Sequence, residues 1–112
     1  MARILVVDDE ASVRTSIKYF LGKIHGHEIT EANDAFQAFN SYREKGKFDL
    51  VITDYDMPGM DGIILIEKIR AINPLQCAVL MSGNKIKTDL VFIEKPFLLA
   101  KLFLIVSRVL SS

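Results

Sequence analysis

Asp8 and Asp9 close one apolar run, ILVVDD, and Asp54 closes a second, LVITD; Ser82 ends a third, AVLMS, and Lys95 a fourth, VFIEK. Gathered in one place, these carboxylates, hydroxyl and lysine would have a definite chemistry. Clustered carboxylates repel one another and need a cation, and for all-oxygen ligands the natural cation is Mg2+. A lysine beside them supplies a compact positive charge for a phosphoryl oxygen. A carboxylate can itself attack phosphorus and form an acyl phosphate, with the cation offsetting the repulsion between the two anions.

Taken singly, each motif has a plainer reading. Asp8 and Asp9 could cap a helix and complement its dipole. Ser82-Gly83 and Lys95-Pro96 could be ordinary turns. Asp54 resists this reading most, because an aspartate ending a buried strand is costly unless it is solvated or used. His25 and His27 in HGHE have no third ligand near them in sequence, which argues against a zinc site there.

The elements that would position these groups follow from periodicity. RILVVD, HEITEA, DLVITD, CAVLMS and LVFIEK read as five strands. Between them, Val13, Ile17, Phe20, Leu21 and Ile24 recur at helical spacing. Asn33 or Asp34 caps a second helix that stops at Gly46, and GIILIEKIRAI is a third, ended by Asn73-Pro74. A last helix begins after Pro96. All the strands but the second are continuous apolar runs, the pattern of strands buried on both faces. The β-α-β-α order predicts a doubly wound α/β sandwich over residues 1–112, a single domain. The ends of its parallel strands share one edge, where such sheets bind ligands, so the polar groups would converge there.

Composition sets the boundaries. The 112 residues carry 14 basic and 14 acidic side chains, so charge gives no reason to expect nucleic acid or an anionic membrane as partner. Charged residues interrupt the apolar stretch FLLAKLFLIVSRVL, which is too short to span a bilayer, and the N-terminus does not read as a signal peptide. Lys85 and Lys87 read as a solvated loop. The single cysteine, Cys77, reads as a buried, reduced thiol, and the expected location is cytoplasmic.

VVDDE, VITDYDMPGMDG, MSG and EKPF, in this order, resemble the receiver domain of bacterial two-component response regulators, a CheY-like family. The resemblance implies a flavodoxin-like five-stranded parallel sheet of order 2-1-3-4-5. It implies that Asp54 accepts a phosphoryl group from a histidine kinase or phosphotransfer protein in a Mg2+-dependent reaction. Asp8 and Asp9 would form the acidic pocket, with Asp9, Asp54 and the backbone carbonyl of Asp56 as direct Mg2+ ligands and Asp8 acting through water. Ser82 would turn toward the phosphate, Lys95 would pair with it, and Phe92 would be the aromatic switch. Pro96 would follow a cis Lys-Pro bond that aims the lysine.

The chain departs from this family between Ser82 and Lys95. With a fifth strand starting at Leu90, only GNKIKTD, residues 83–89, remains for a loop and a helix. An ordinary helix takes about eleven residues. Seven extended residues reach at most about 25 Å, just enough to return along a strand of about 17 Å. The fourth helix is therefore expected to be missing or reduced to a turn. The last helix carries an apolar arc of about 160° where about 100° suffices to dock on a sheet. The surplus could cover core left bare by the missing helix, form a homodimer or effector surface, or accompany a swap of the last strand and helix between chains. The altered segment keeps open a receiver-like module that signals without phosphorylation. Asp54-Tyr55-Asp56 also repeats the D-x-D spacing of haloacid dehalogenase-like phosphatases, but those place it after the first strand and follow it with a threonine where this chain has Pro58.

Overall fold

The computed structural model describes residues 1–111. Five parallel strands, β1 (Arg3–Val7), β2 (Glu28–Ala32), β3 (Leu50–Asp54), β4 (Ala78–Ser82) and β5 (Val91–Glu94), form one sheet of order β2-β1-β3-β4-β5. Four α-helices accompany it: α1 (Ala11–Ile17), α2 (Ala35–Lys45), α3 (Gly62–Ile72) and α4 (Leu99–Leu110). α1 runs on directly as a π-helical segment, Lys18–Ile24. The predicted flavodoxin-like order and the five strands are as observed.

Side-chain alternation along each strand divides the core into two layers. Ile4 and Val6 of β1, Leu50 and Ile52 of β3, and Val79 and Met81 of β4 face one side, packed with Ile17, Leu21, Leu102 and Val106. Leu5, Val7 and Val51 face the other side, against Ala35, Ala38, Tyr42, Leu65 and Ile69 of α2 and α3. The helix boundaries follow local chemistry. Of the two candidate caps for α2, Asp34 serves, its side chain accepting from Gln37 N at 2.7 Å. Asp61 caps α3 through Ile64 N at 2.9 Å.

The expectation of a missing fourth helix needs correction as a count, because α4 is a fourth helix and lies after β5. The crossover from β4 to β5, residues 83–90, consists of bends and irregular chain without a helix. Ile86 and Leu90 from this segment pack on Ile66, Ala78 and Leu80, so two side chains cover the β4 face that a helix would otherwise shield. This rules out one use of the apolar surplus on α4. α4 packs on the opposite side of the sheet from the crossover, so it cannot cover the core there. Leu99, Phe103, Ile105, Val109 and Leu110 are instead spent against α4's own core layer, with Phe103 stacked on His25 at 4.0 Å. Leu98 and Leu104 remain exposed, at 77% and 63%. β5 pairs with β4 of the same chain. Cys77 is half-buried rather than buried, since it sits just outside β4.

Candidate functional site

The polar strand ends meet at the C-terminal edge of the sheet. β1 is entirely buried beyond its first residue and delivers Asp8 with no exposed surface, while Asp9, the next residue, turns out to solvent. β3 is buried along its whole length, so Asp54 arrives at its end only 5% exposed. In the ladder Asp54 lies opposite Met81, Ser82 lies opposite Glu94, and Lys95 N donates to Ser82 O at 2.6 Å. Register thus carries the lysine to Asp8 from 87 residues away.

Lys95 holds the site together. Its Nζ lies 2.8 Å from Asp8 Oδ2, 3.3 Å from Asp54 Oδ1 and 3.7 Å from Glu10 Oε1. The Lys95-Pro96 peptide is cis, as the resemblance implied. Burial alone would lower the Lys95 pKa. The hydrogen bond that Lys95 donates to Asp8 and the charges of Asp8 and Asp54 outweigh burial, and the pKa is raised. Asp54 is pushed up from 3.8 to about 6, first by burial and then by the charge of Asp8, with Lys95 pulling only partly back. One ammonium therefore does not neutralise the cluster, and negative charge is left over at the mouth.

The donor set suits a hard divalent cation. Carboxylate oxygens of Asp8, Asp9 and Asp54 all lie within 4.8 Å of one another, with no softer ligand among them. Asp56, two residues beyond β3, is exposed in the loop that follows.

The remaining predicted residues lie outside this contact set. Ser82 is buried, and its hydroxyl donates to Asn84 O at 2.8 Å while accepting from Asn84 N at 3.1 Å. Here it ties down the start of the crossover. Phe92 is half-buried against the cluster of Ile66, Ala78 and Leu80.

Three supporting residues escaped the sequence reading. Glu10 completes the DDE triplet, a signal that was present but read only through its first two members. Arg14 donates to Asp8 O at 2.7 Å and pairs with Glu31 at 3.4 Å, holding the end of β1 in place. Gly62 sits so close to β3 that a Cβ there would overlap the Asp54 carbonyl oxygen and come within 3.0 Å of Leu80 Cδ1. Nothing local marks that Gly62 role, because the opposing backbone comes from a different element.

These features, a 2-1-3-4-5 parallel sheet with an acidic cluster and a bridging lysine at its carboxyl edge, define a class that sequence comparison identifies. Residues 4–106 match the response regulator receiver domain, and the chain belongs to that family. It is 36% identical over 111 residues to chemotaxis protein CheY-3 of Vibrio cholerae, covering 89% of this chain and 85% of that protein. It is 36% identical over 105 residues to chemotaxis protein CheY of Bacillus subtilis, covering 85% and 86%. Among solved structures, a response regulator receiver domain protein from Clostridium thermocellum superposes with a TM-score of 0.89 at 26% identity, covering 99% of this chain and 95% of that one. The response regulator TrrA from Thermotoga maritima, in complex with Mg(2+)-BeF, does so with 0.87 at 31% identity, covering 97% and 99%. The protein is thus a CheY-like receiver domain of two-component signalling. The D-x-D spacing begins at the end of β3 and not after β1, unlike the phosphatase pattern.

Proposed function

We propose that Asp54 is the phosphoacceptor of this receiver, taking a phosphoryl group from a histidine kinase or phosphotransfer protein. The observation that carries the reading is Lys95, whose ammonium bridges Asp8 and Asp54 at 2.8 and 3.3 Å. With Asp54 rising to only about 6, its carboxylate is mostly ionised near neutrality and available as a nucleophile. An Asp54 oxygen attacks phosphorus, the bond from phosphorus to the donor breaks, and the donor leaves with that electron pair. Lys95 keeps its bond to Asp8 and pairs with a phosphoryl oxygen. Asp9, Asp54 and the Asp56 carbonyl, with Asp8 through water, would hold Mg2+, which when bound would screen the carboxylate from the phosphoryl group. Ser82 exchanges its bond to Asn84 for one to the phosphoryl group, and Phe92 follows on the adjoining strand. Exposed Leu98, at the N-cap of α4, and Leu104 on that helix support a protein-docking surface there, for an effector or a second copy. The cytoplasm, where the kinase presents its phosphohistidine, is the expected location.

Intact-mass spectrometry after incubation with acetyl phosphate and Mg2+ tests the reading. A single phosphoryl adduct is expected, absent in Asp54→Asn and in EDTA. No adduct on folded, Mg2+-binding protein would instead favour an interaction module that works without phosphorylation.

A further inference from the structure

Glu10 stands apart from the other acids of the site. It is the N-cap residue of α1, yet its side chain makes no capping bond, and its backbone N–H donates to Asp8 Oδ1 at 2.9 Å. Its carboxylate is 63% exposed and reaches Lys95 Nζ at 3.7 Å, from the solvent side of the two buried carboxylates. A cavity of about 590 Å3 opens beside it, sharing Glu10 and Lys95 with the acidic site and floored by Val13, Ile17, Phe97 and Leu99. Anything that brings a phosphoryl group to Asp54 by way of this hollow passes Glu10.

We propose that Glu10 is a specificity-determining residue, a fixed negative charge at the mouth that disfavours small, highly anionic phosphodonors relative to donors of lower charge. The inference rests on phosphoryl transfer to Asp54. Glu10 acts in two ways. It repels an approaching dianion directly, and it takes part of the attraction that Lys95 would otherwise offer that donor. A phosphohistidine on a protein brings surrounding surface that can offset the charge, which a small molecule does not. With acetyl phosphate the balanced step is formation of the Asp54 oxygen–phosphorus bond and cleavage of the bond from phosphorus to the acyl oxygen, acetate leaving with the electron pair.

The test compares wild type with Glu10→Gln, which keeps shape and removes charge. Rates of adduct formation are measured with Mg2+ and either acetyl phosphate or phosphoramidate, whose ammonio group lowers its net charge. In low salt, Glu10→Gln is expected to react about three- to tenfold faster with acetyl phosphate and to gain less with phosphoramidate. Added salt should shrink the advantage, because an exposed charge is screened within about 8 Å at physiological ionic strength. Equal rates for the two proteins in low salt, or an equal gain with both donors that ignores salt, would overturn the proposal, the latter pointing to positioning rather than charge. Affinity for Mg2+ alone gives a readout that needs no phosphoryl transfer. Glu10→Gln should bind Mg2+ about two- to threefold more weakly, and unchanged affinity would count against a charge effect at the mouth. Absence of adduct on wild type identifies failure of the Asp54 reading, while the Mg2+ comparison still decides the role of Glu10.

Discussion

Asp54→Asn should make the metal-free protein more stable, although it deletes a partner of Lys95. The folded protein holds the Asp54 proton more tightly than the unfolded chain, with a pKa of about 6 against 3.8. Its ionised form is therefore the one that the fold disfavours. The sign follows from linkage. Between pH 4 and 6 the native state binds more protons than the unfolded state, so stability falls as pH rises through this window, and the full cost is present above 6. Each tenfold in proton affinity is about 1.4 kcal/mol, so the whole difference corresponds to about 3 kcal/mol. The open mouth of the site screens part of this, leaving about 1–2 kcal/mol. For a chain of this length that is a rise in Tm of about 4–8 °C. Circular-dichroism melts of both proteins from pH 5 to 7.5 in EDTA would check it. The gap should be widest at pH 7.5 and narrow to about half as pH falls to 5. His27, whose pKa is lowered by burial, the N-terminus and His25, is common to both proteins and cancels in the difference. Saturating Mg2+ should narrow the gap, because a ligand stabilises whichever protein binds it in the folded state. An Asp54→Asn protein less stable than wild type at pH 7.5 in EDTA would refute the reasoning. It would mean that the pair with Lys95 outweighs burial and the charge of Asp8.

Lys95→Met should act in the opposite sense, leaving Asp8 and Asp54 buried without their cation. A loss of about 2–4 kcal/mol at pH 7.5, measured by urea unfolding, is expected, together with loss of phosphoryl transfer. Gly62→Ala should cost about 2–3 kcal/mol, because the new methyl meets backbone at Asp54 rather than a yielding side chain. It should also slow adduct formation by displacing the nucleophile, and wild-type stability with a wild-type rate would contradict the close approach. Tyr42→Phe removes a hydroxyl that donates to buried Gln76 Oε1 at 2.6 Å, far from the site. It should lower stability by about 1–2 kcal/mol and leave the phosphorylation rate unchanged.

The positions of the site residues were legible because strand ends are local features. A run such as LVITD states where a buried strand stops, and the β-α order states that all such ends share an edge. Asp8, Asp54, Ser82 and Lys95 could therefore be assigned to one place before any distance was known. The choice between Asn33 and Asp34 as cap could not, because both fit the sequence pattern and only the path of the chain into α2 selects Asp34. The helix count was misjudged through an expectation about order. Seven residues leave no room for a helix between β4 and β5, but the sequence could not show that Ile86 and Leu90 would cover the exposed strand. Nor could the 160° arc on α4 reveal which neighbours use it, since periodicity records how much of a helix is apolar and not what it faces.

What the sequence determined by itself is what lies within a few residues of each site group: strand, cap, turn and the type of each side chain. Only the tertiary structure decided the pairing of Lys95 with Asp8 across 87 residues, the exposed reach of Glu10 to that same ammonium, the attachment of Ser82 to Asn84, and the contact of Gly62 with β3. Each of these is a matter of ångströms between groups brought together by sheet register and helix packing. Periodicity fixes which face a residue occupies, whereas such distances are set by every element packed between the two groups.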